Sequence, residues 1–307
     1  MYADFKRILV NWIGELKRKL QFRLDRFRAK ALQGPIIITV HKGATVSQNK
    51  FPNQPNLVKG CVIKEIPYLS QSSNIDRGLG WDKRLFGPVT SSHSLTFEAT
   101  PEYMVMPGVA ERIKEQLPEV KLISILRDPI ERAYSSWNMY RLIRQDPVAK
   151  ANILRRHLPY LRGSQKETFL RVMNDPIMED FEAEIEEELT MASFSDLTSG
   201  PTFVRSGIYV ERLAPFWENF DSDHLMILES SMFKKDPRSH LEQICSFLNI
   251  PMHIWSEKDL RPHHVRAYDS PISGSTREKL ASFFHPHNEA LFKKVGQQYP
   301  WTIPAIS

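Results

Sequence analysis

Cysteine is scarce in this chain, since only Cys61 and Cys245 occur among its 307 residues. Two cysteines cannot form a disulfide framework, and their spacing is unlike that of zinc ligands. The sequence also contains no run of about 18 apolar residues, so no segment is predicted to span a bilayer. No short apolar stretch precedes a small-residue cleavage site, which leaves secretion unsupported. These absences together predict a reducing, cytoplasmic location.

Positive charge is abundant only at the start of the chain. The net charge is +5, and residues 1–33 contain nine lysines and arginines against three acidic residues, an excess of six. The remainder is therefore close to neutral. A surface that is basic throughout, as expected for a nucleic-acid-binding protein, is not predicted, and we expect no nucleic-acid partner.

The basic segment 1–33 has the pattern of one long amphipathic helix. Its apolar residues recur at helical spacing: Phe5, Leu9, Trp12, Ile13, Leu16, Leu20, Leu24 and Phe27. Two interpretations stay open. The favoured one is a helix docked on the rest of the protein by its apolar stripe. The other is a helix in peripheral contact with an anionic membrane surface. Residues 34–307 are predicted to form one domain.

From residue 34 onward, apolar strands alternate with helical segments. The predicted strands are 35–40, 61–66, 94–98, 121–126 and 224–229. The predicted helices are 45–51, 108–117, 129–143, 151–161, 178–190, 209–219, 236–249 and 275–295. This alternation predicts an α/β fold, a P-loop-like three-layer sandwich with a central, mainly parallel sheet flanked by helices. The acidic stretch 179–189 is interpreted as a helix with a solvated face.

The stretch "PIIITVHKGATVSQ" (35–48) has the features of a compact phosphate loop. A buried strand is followed by Lys42, by small residues, and by Thr45 and Ser47 at a helix start. Small residues let backbone N–H groups approach an anion, and the lysine adds a mobile positive charge. The stretch lacks the G-x-x-x-x-G-K-[ST] spacing, and no second-strand aspartate for magnesium accompanies it. An ordinary turn between strand and helix remains the alternative.

A second anion site is indicated by "KLISILRDPIERAYSSW" (121–137). Asp128 is predicted to cap a helix, Pro129 to occupy its first position, and Glu131 to complete a capping box. Arg127 would then leave the sheet at its carboxyl edge, where open α/β sheets bind ligands. With Ser135, it suits a phosphate monoester. The alternative is that Arg127 pairs with a carboxylate and Ser135 only caps local structure.

These motifs, in this order, resemble those of sulfotransferases that use 3′-phosphoadenosine 5′-phosphosulfate. The matching stretches are "HKGATVS", "FEATPEY", "LRDPIERAYSSW", "SGIYVERLAPFWENF" and "STREKLASFFHP". The resemblance extends from about Gly34 to Trp301, so residues 34–307 are identified as a sulfotransferase domain. "VIKEIPYLS" (62–70) is similar to the Lys-Glu segment of the heparan-sulfate and bacterial branch.

The resemblance implies roles for the reacting groups. Glu65 would be the general base, and Lys64 and Lys42 would keep its carboxylate ionised. Lys42 would also contact the sulfate and the bridging oxygen. Should the base lie elsewhere, His93 or Lys64 is the next candidate. The alternative for Glu65 is a surface residue paired with Lys64.

The resemblance also implies the binding residues. The donor would be contacted by Lys42, Gly43, Ala44, Thr45, Val46 and Ser47, its 3′-phosphate by Arg127 and Ser135, and its adenosine by Arg205 and Tyr209. Glu98, Thr100 and Tyr103 would border the acceptor pocket. Ala44 and Val46 depart from the usual loop, and Val46 removes a hydroxyl that often touches the phosphosulfate.

The implied reaction is an in-line, metal-independent transfer of a sulfuryl group to a carbohydrate, lipid or secondary-metabolite hydroxyl. The other product would be adenosine 3′,5′-bisphosphate. Two alternatives stay open. A nucleotide-dependent phosphoryl transferase would use similar cationic groups but would need magnesium. A non-catalytic protein bound to membrane or nucleic acid through residues 1–33 would explain the charge but not the paired phosphate elements.

Overall fold

The computed structural model describes residues 36–39, 57–58, 68–70, 75–76, 95–96, 98–161, 163–175, 179–190, 202–256, 260 and 271–304. Several predicted features lie outside these residues: the helix at 1–33, the loop 42–47, the pair Lys64 and Glu65, and His93. The predictions for these residues, and for a domain boundary near residue 33, therefore stay predictions.

A parallel sheet organises the described part of the chain. The strands there are β1 (Ile36–Thr39), β2 (Leu57–Val58), β3 (Leu95–Thr96), β4 (Glu98–Ala99), β5 (Leu122–Leu126) and β6 (Leu225–Glu229). Four of them form one sheet in the order β4-β1-β5-β6, with every pairing parallel. β2 and β3 pair separately, also in parallel. The predicted α/β class with a parallel sheet is confirmed.

Helices account for most of the remaining described residues. They are α1 (Val109–Gln116), α2 (Pro129–Gln145), α3 (Pro147–His157), α4 (Gly163–Asn174), α5 (Phe181–Thr190), α6 (Tyr209–Asn219), α7 (Ser230–Lys235), α8 (Pro237–Phe247) and α9 (Gly274–Val295). Short 3₁₀ helices cover Pro101–Met104, Leu158–Tyr160 and Arg205–Gly207. Within the described ranges, no helix has the length and apolar character needed to cross a bilayer.

Strand β5 shows why the sheet lies between two helical layers. All five of its residues are buried, as expected for a continuous apolar run in a parallel sheet. Leu122 and Leu126 pack with side chains of α1, α6 and α9. Ile123 and Ile125 pack on the other face with side chains of α7 and α8. Because successive side chains of a strand point to opposite faces of the sheet, β5 contributes apolar side chains to the core on both sides.

The strand order reverses between β1 and β5. From β1 the chain goes on to β4 on one side, and later enters β5 and β6 on the other. Such a reversal opens a crevice at the carboxyl ends of the strands, where ligands of open α/β sheets bind. Thr39 of β1 pairs with Ile125 of β5. The segments that follow these two strands therefore begin at neighbouring positions on the same edge of the sheet.

Some predicted elements were wrong in their extent. The predicted strand 94–98 is two short strands, and β3 and β4 belong to different sheets. The predicted helix 236–249 begins at Pro237 and is preceded by a separate helix, α7, because Asp236 caps α8. The sequence analysis also missed α4 (Gly163–Asn174). The helix predicted at 151–161 begins earlier, at Pro147 behind the capping residue Asp146.

Candidate functional site

The turn between β5 and α2 places Arg127 at the carboxyl edge of the sheet. β5 ends at Leu126 and α2 begins at Pro129, so only Arg127 and Asp128 lie between them. Asp128 Oδ1 accepts hydrogen bonds from the backbone N–H groups of Ile130, at 2.8 Å, and Glu131, at 3.3 Å. These bonds satisfy donors that a helix start leaves without partners. The predicted cap at Asp128 is confirmed.

Glu131 makes ion pairs with two arginines, whereas the sequence predicted that it completes a capping box. Its Oε1 accepts a hydrogen bond from Arg277 Nη2 at 2.7 Å. Its Oε2 lies 3.6 Å from Arg127 Nη2. The side chain of Arg127 keeps 20% of its surface exposed. One carboxylate thus faces two guanidinium groups and holds Arg277 more closely, which leaves positive charge around Arg127.

Lys234 adds a third cation to this edge, and the sequence analysis missed it. It lies in α7, directly after β6, the strand that pairs with β5. Partial removal of its ammonium group from water lowers the pKa of Lys234, and the positive charge of Arg127 lowers it further. Arg127 and α7 also follow paired strand ends, since Leu126 of β5 is opposite Glu229 of β6. The sequence feature that could have identified Lys234 is its position. Lys234 and Arg127 each follow a strand, and the two strands are neighbours in the sheet.

Tyr209 holds the backbone of this turn. Its hydroxyl donates a hydrogen bond to the carbonyl oxygen of Arg127 at 2.8 Å, and its side chain is only 1% exposed. Burial raises the pKa of Tyr209 above its ordinary value, so the hydroxyl keeps its proton at any working pH. The sequence predicted that Tyr209 contacts the adenosine. The contacts described here are internal, and that role stays a prediction.

The two predicted phosphate ligands, Arg127 before α2 and Ser135 within it, differ in accessibility. Arg127 is partly exposed, whereas the side chain of Ser135 is fully buried. Arg132, one turn before Ser135, is also buried, and its Nη2 donates a hydrogen bond to the carbonyl of Phe203. The structure therefore offers Arg127 to solvent and encloses Ser135 in the interior of the protein.

The residues from Phe203 to Gly207, which we call the anchored turn, pack against α2. Glu188 of α5 accepts hydrogen bonds from three successive backbone N–H groups: Phe203 at 2.7 Å, Val204 at 3.0 Å and Arg205 at 2.9 Å. A Cβ atom added at Gly207 would lie 2.9 Å from Cβ of Pro129, the first residue of α2. Only glycine permits so close an approach.

Three buried arginines lie in or near the anchored turn. Arg132, Arg205 and Arg212 are each less than 9% exposed. Burial lowers the pKa of Arg132 and lowers that of Arg212 to about 10, while Glu188 opposes the shift in both. Glu188 is itself buried. It therefore acts as a counterion for these guanidinium groups as well as an acceptor for the turn.

The predicted acceptor residues lie beside β4. Thr100 and Tyr103 are almost completely buried, and the Tyr103 hydroxyl accepts a hydrogen bond from the Leu69 N–H at 3.2 Å. The Leu69 carbonyl accepts one from Arg112 Nε at 2.7 Å. Glu98 contributes its backbone to β4 opposite Ile36, and its side chain lies outside the described part. Acceptor contact by these residues stays a prediction.

A group of potential metal ligands lies at the opposite edge of the sheet. Asp221, Asp223 and His224 precede β6, and their ligand atoms lie within 4.8 Å of one another. Lys121 already contacts this group, with Nζ at 4.0 Å from Asp223 Oδ2. Because the group lies at the amino ends of the strands, it is separate from the edge that carries Arg127.

Comparison with known proteins gives a family model and relatives. Residues 35–273 match the family model described as a sulfotransferase domain. Human heparan sulfate glucosamine 3-O-sulfotransferase 5 is 23% identical over 304 residues, which cover 92% of this chain and 78% of that protein. The membrane-associated sulfotransferase kil1 of Dictyostelium discoideum is 24% identical over 315 residues, covering 87% of this chain and 65% of that protein.

A solved structure supports the same fold. The crystal structure of a sulfotransferase from Alicyclobacillus acidocaldarius superposes with a TM-score of 0.57 at 18% sequence identity. The match covers 88% of this chain and 98% of the other. At this identity the likeness concerns the fold, and it agrees with the parallel sheet and its flanking helices.

Proposed function

The chain belongs to the sulfotransferase family, and we propose that it transfers a sulfuryl group from 3′-phosphoadenosine 5′-phosphosulfate to an acceptor hydroxyl. One observation carries the proposal. β1 and β5 are adjacent and parallel, with Thr39 opposite Ile125. The loop containing Lys42 follows β1 by sequence, and Arg127 follows β5. Two cationic segments thus start from neighbouring strand ends at the point where the strand order reverses.

The charges at this edge fit a phosphorylated donor. Arg127, Lys234 and Arg277 supply three cations, and the closer bond of Glu131 goes to Arg277. The other two carboxylates there, Asp128 and Glu229, accept hydrogen bonds from backbone N–H groups at helix starts. Arginine presents a planar fork of donors that matches a phosphate group. We assign the 3′-phosphate to Arg127, with Lys234 as a further positive charge. Contact with Ser135, whose side chain is buried, stays a prediction from the family resemblance. The bound donor would supply an activated sulfuryl group.

The catalytic assignments follow the family resemblance. Glu65 takes the proton of the acceptor hydroxyl, and Lys64 and Lys42 favour its ionised form. Lys42 also stabilises negative charge on the bridging oxygen. His93 is the next candidate for the base. Glu65 precedes the segment Tyr68–Ser70 by three residues in the sequence, and Tyr103 and Arg112 hold that segment near the end of β4.

A carbohydrate hydroxyl is the first acceptor to test. Human heparan sulfate glucosamine 3-O-sulfotransferase 5 is named for a sugar acceptor. Lipid and secondary-metabolite hydroxyls follow, because acceptor pockets are built from loops that vary on a common scaffold. Transfer from labelled donor to a panel of the three classes would identify the acceptor.

Ligand-dependent melting tests the donor assignment. A ligand at about 100 times its Kd stabilises the folded state by about 2.7 kcal/mol, which raises Tm by about 4 °C in a protein of this size. We expect adenosine 3′,5′-bisphosphate to produce this shift in buffer with a chelator. The Arg127→Met variant should lose most of it, while Arg155→Met, at an exposed site in α3, should keep it.

The same measurement separates the alternatives. Stabilisation by ATP with magnesium, and none by adenosine 3′,5′-bisphosphate, would favour a phosphoryl transferase. No shift with either nucleotide would favour the non-catalytic binding protein.

Lys234 should contribute to donor affinity through its charge. Replacing Lys234 by methionine is expected to raise the Kd of adenosine 3′,5′-bisphosphate about two- to fivefold, because an exposed charge contributes at most about 1 kcal/mol. The effect should shrink as salt screens the interaction. Isothermal titration calorimetry at low and physiological ionic strength measures both. The neighbouring Lys235→Met is the control, and equal effects from both variants would remove Lys234 from the site.

A further inference from the structure

The end of the described chain binds at the same edge of the sheet as Arg127. We call residues Tyr299–Thr302 the C-terminal clasp. The N–H and the hydroxyl of Thr302 donate hydrogen bonds to Asp128 Oδ2 at 2.8 and 2.9 Å. Trp301 Nε1 donates one to Glu229 Oε1 at 3.2 Å. The clasp is thus bonded to two carboxylates, 174 and 72 residues earlier in the sequence.

Each of these carboxylates also starts a helix. Asp128 caps α2 with its other oxygen. Glu229 Oε2 accepts from the backbone N–H groups of Ser231, at 2.7 Å, and Met232, at 2.8 Å, at the start of α7. Leu126, at the end of β5, pairs with Glu229 at the end of β6. The clasp therefore bridges the ends of β5 and β6. It connects the start of α2, next to Arg127, with the start of α7, the helix that contains Lys234.

The clasp also supports Arg127 through Tyr209. The Trp301 ring is buried, and its centroid lies 5.6 Å from that of Tyr209 and 5.1 Å from that of Tyr299. The Tyr209 hydroxyl binds the Arg127 carbonyl. The Arg127–Asp128 turn is thus held on one side by Thr302 and on the other by a tyrosine that packs on Trp301.

We propose that the C-terminal clasp is a positioning element for the donor site, with Asp128 and Thr302 as positioning residues that act through Arg127. Arg127 and Asp128 lie between β5 and α2. Asp128 is bonded to α2 through its cap and through its carbonyl, which accepts from the Arg132 N–H. The bonds to Thr302 and Tyr209 add the tertiary contacts that orient the turn. A preoriented arginine loses less conformational freedom on binding a phosphate. The inference rests on the proposed use of a 3′-phosphorylated donor.

Asp128→Asn breaks the clasp and spares the cap. Asparagine caps helices as well as aspartate does, but its amide NH₂ would face the two donors of Thr302. We expect the Kd of adenosine 3′,5′-bisphosphate, measured by calorimetry, to rise about tenfold, as for one or two lost hydrogen bonds to a charged group. Asp146→Asn is the matched control. Asp146 caps α3 before a proline in the same way, and this variant should keep the Kd within about twofold.

Two truncations test the clasp without touching Asp128. A chain that ends after Thr302 keeps every clasp bond and should bind adenosine 3′,5′-bisphosphate like the full chain. A chain that ends after Pro300 should bind it about tenfold more weakly. In turnover, Asp128→Asn should raise the donor KM more than it lowers kcat, a split that a general loss of folded protein would not produce.

The outcomes separate this inference from the proposed function. If the full chain does not bind adenosine 3′,5′-bisphosphate, the proposed function fails. If the full chain binds it and Asp128→Asn binds it equally well, the positioning role fails while the function stands. Equal losses in Asp128→Asn and Asp146→Asn would also overturn the positioning role, because both variants share only a modified cap.

Discussion

Replacing Glu65 by glutamine is expected to lower kcat by about 10²–10⁴, the usual contribution of a general base. Glutamine has nearly the same shape but cannot accept the acceptor's proton. The Kd of adenosine 3′,5′-bisphosphate should stay within about twofold, because Arg127, to which the 3′-phosphate is assigned, is unchanged. Transfer from labelled donor to the best acceptor of the panel, beside calorimetry with the bisphosphate, measures both quantities.

Three variants complete this experiment. Glu65→Asp keeps a carboxylate on a shorter side chain and should recover part of the lost turnover. His93→Gln and Lys64→Met should each lower kcat less than Glu65→Gln does. Should Glu65→Gln turn over at the wild-type rate, Glu65 is not the base, and the variant with the largest loss among the other two identifies the replacement.

Local signals made the β5–α2 junction predictable. The apolar run of β5, the arginine that follows it and the Asp-Pro pair at 128–129 are consecutive in the sequence, and each acts within a few residues. The structure has the strand, the cap and the helix start where the sequence predicts them. The parallel sheet was predictable as a class for a related reason, because buried parallel strands are apolar throughout.

The order of strands and the long-range contacts had no such signal. Thr302 and Asp128 are separated by 174 residues, and nothing local to either marks them as partners. Lys234 is one of many lysines until β6 is known to pair with β5. The same holds for Tyr209, whose hydroxyl binds a carbonyl 82 residues away. Such contacts form only when the whole chain has packed, so no short stretch of sequence predicts them.

The acidic stretch at 179–189 shows what the spacing of apolar residues can and cannot predict about a helix. The helix itself is confirmed as α5, and Phe181 and Ile185 are buried as their spacing predicts. The predicted solvated face is present at Glu182 and Glu186, but Glu184 and Glu188 of the same acidic stretch are buried. Glu184 forms two hydrogen bonds with Arg171, at 2.9 and 2.8 Å. A pattern of polar residues does not reveal that buried arginines and backbone donors elsewhere require carboxylate partners.

Glu188→Gln should destabilise the protein by about 3 kcal/mol or more, the usual cost of removing one partner from a buried ionic group. Glutamine would keep one acceptor oxygen, while its NH₂ group would face a backbone N–H of the anchored turn. It would also remove a negative charge that favours the ionised forms of Arg132 and Arg212. Urea-induced unfolding at neutral pH measures the change in free energy.

Glu187→Gln is the matched control for this prediction. Glu187 is the preceding residue of α5, keeps 32% of its side chain exposed and lies 3.4 Å from Arg171 Nη1. Water screens such a pair, so its loss should cost at most about 1 kcal/mol. A comparably small loss from Glu188→Gln would contradict the role of Glu188 as counterion and acceptor. A large loss would show that the anchored turn, which packs on the first residue of α2, depends on a carboxylate from a helix elsewhere in the sequence.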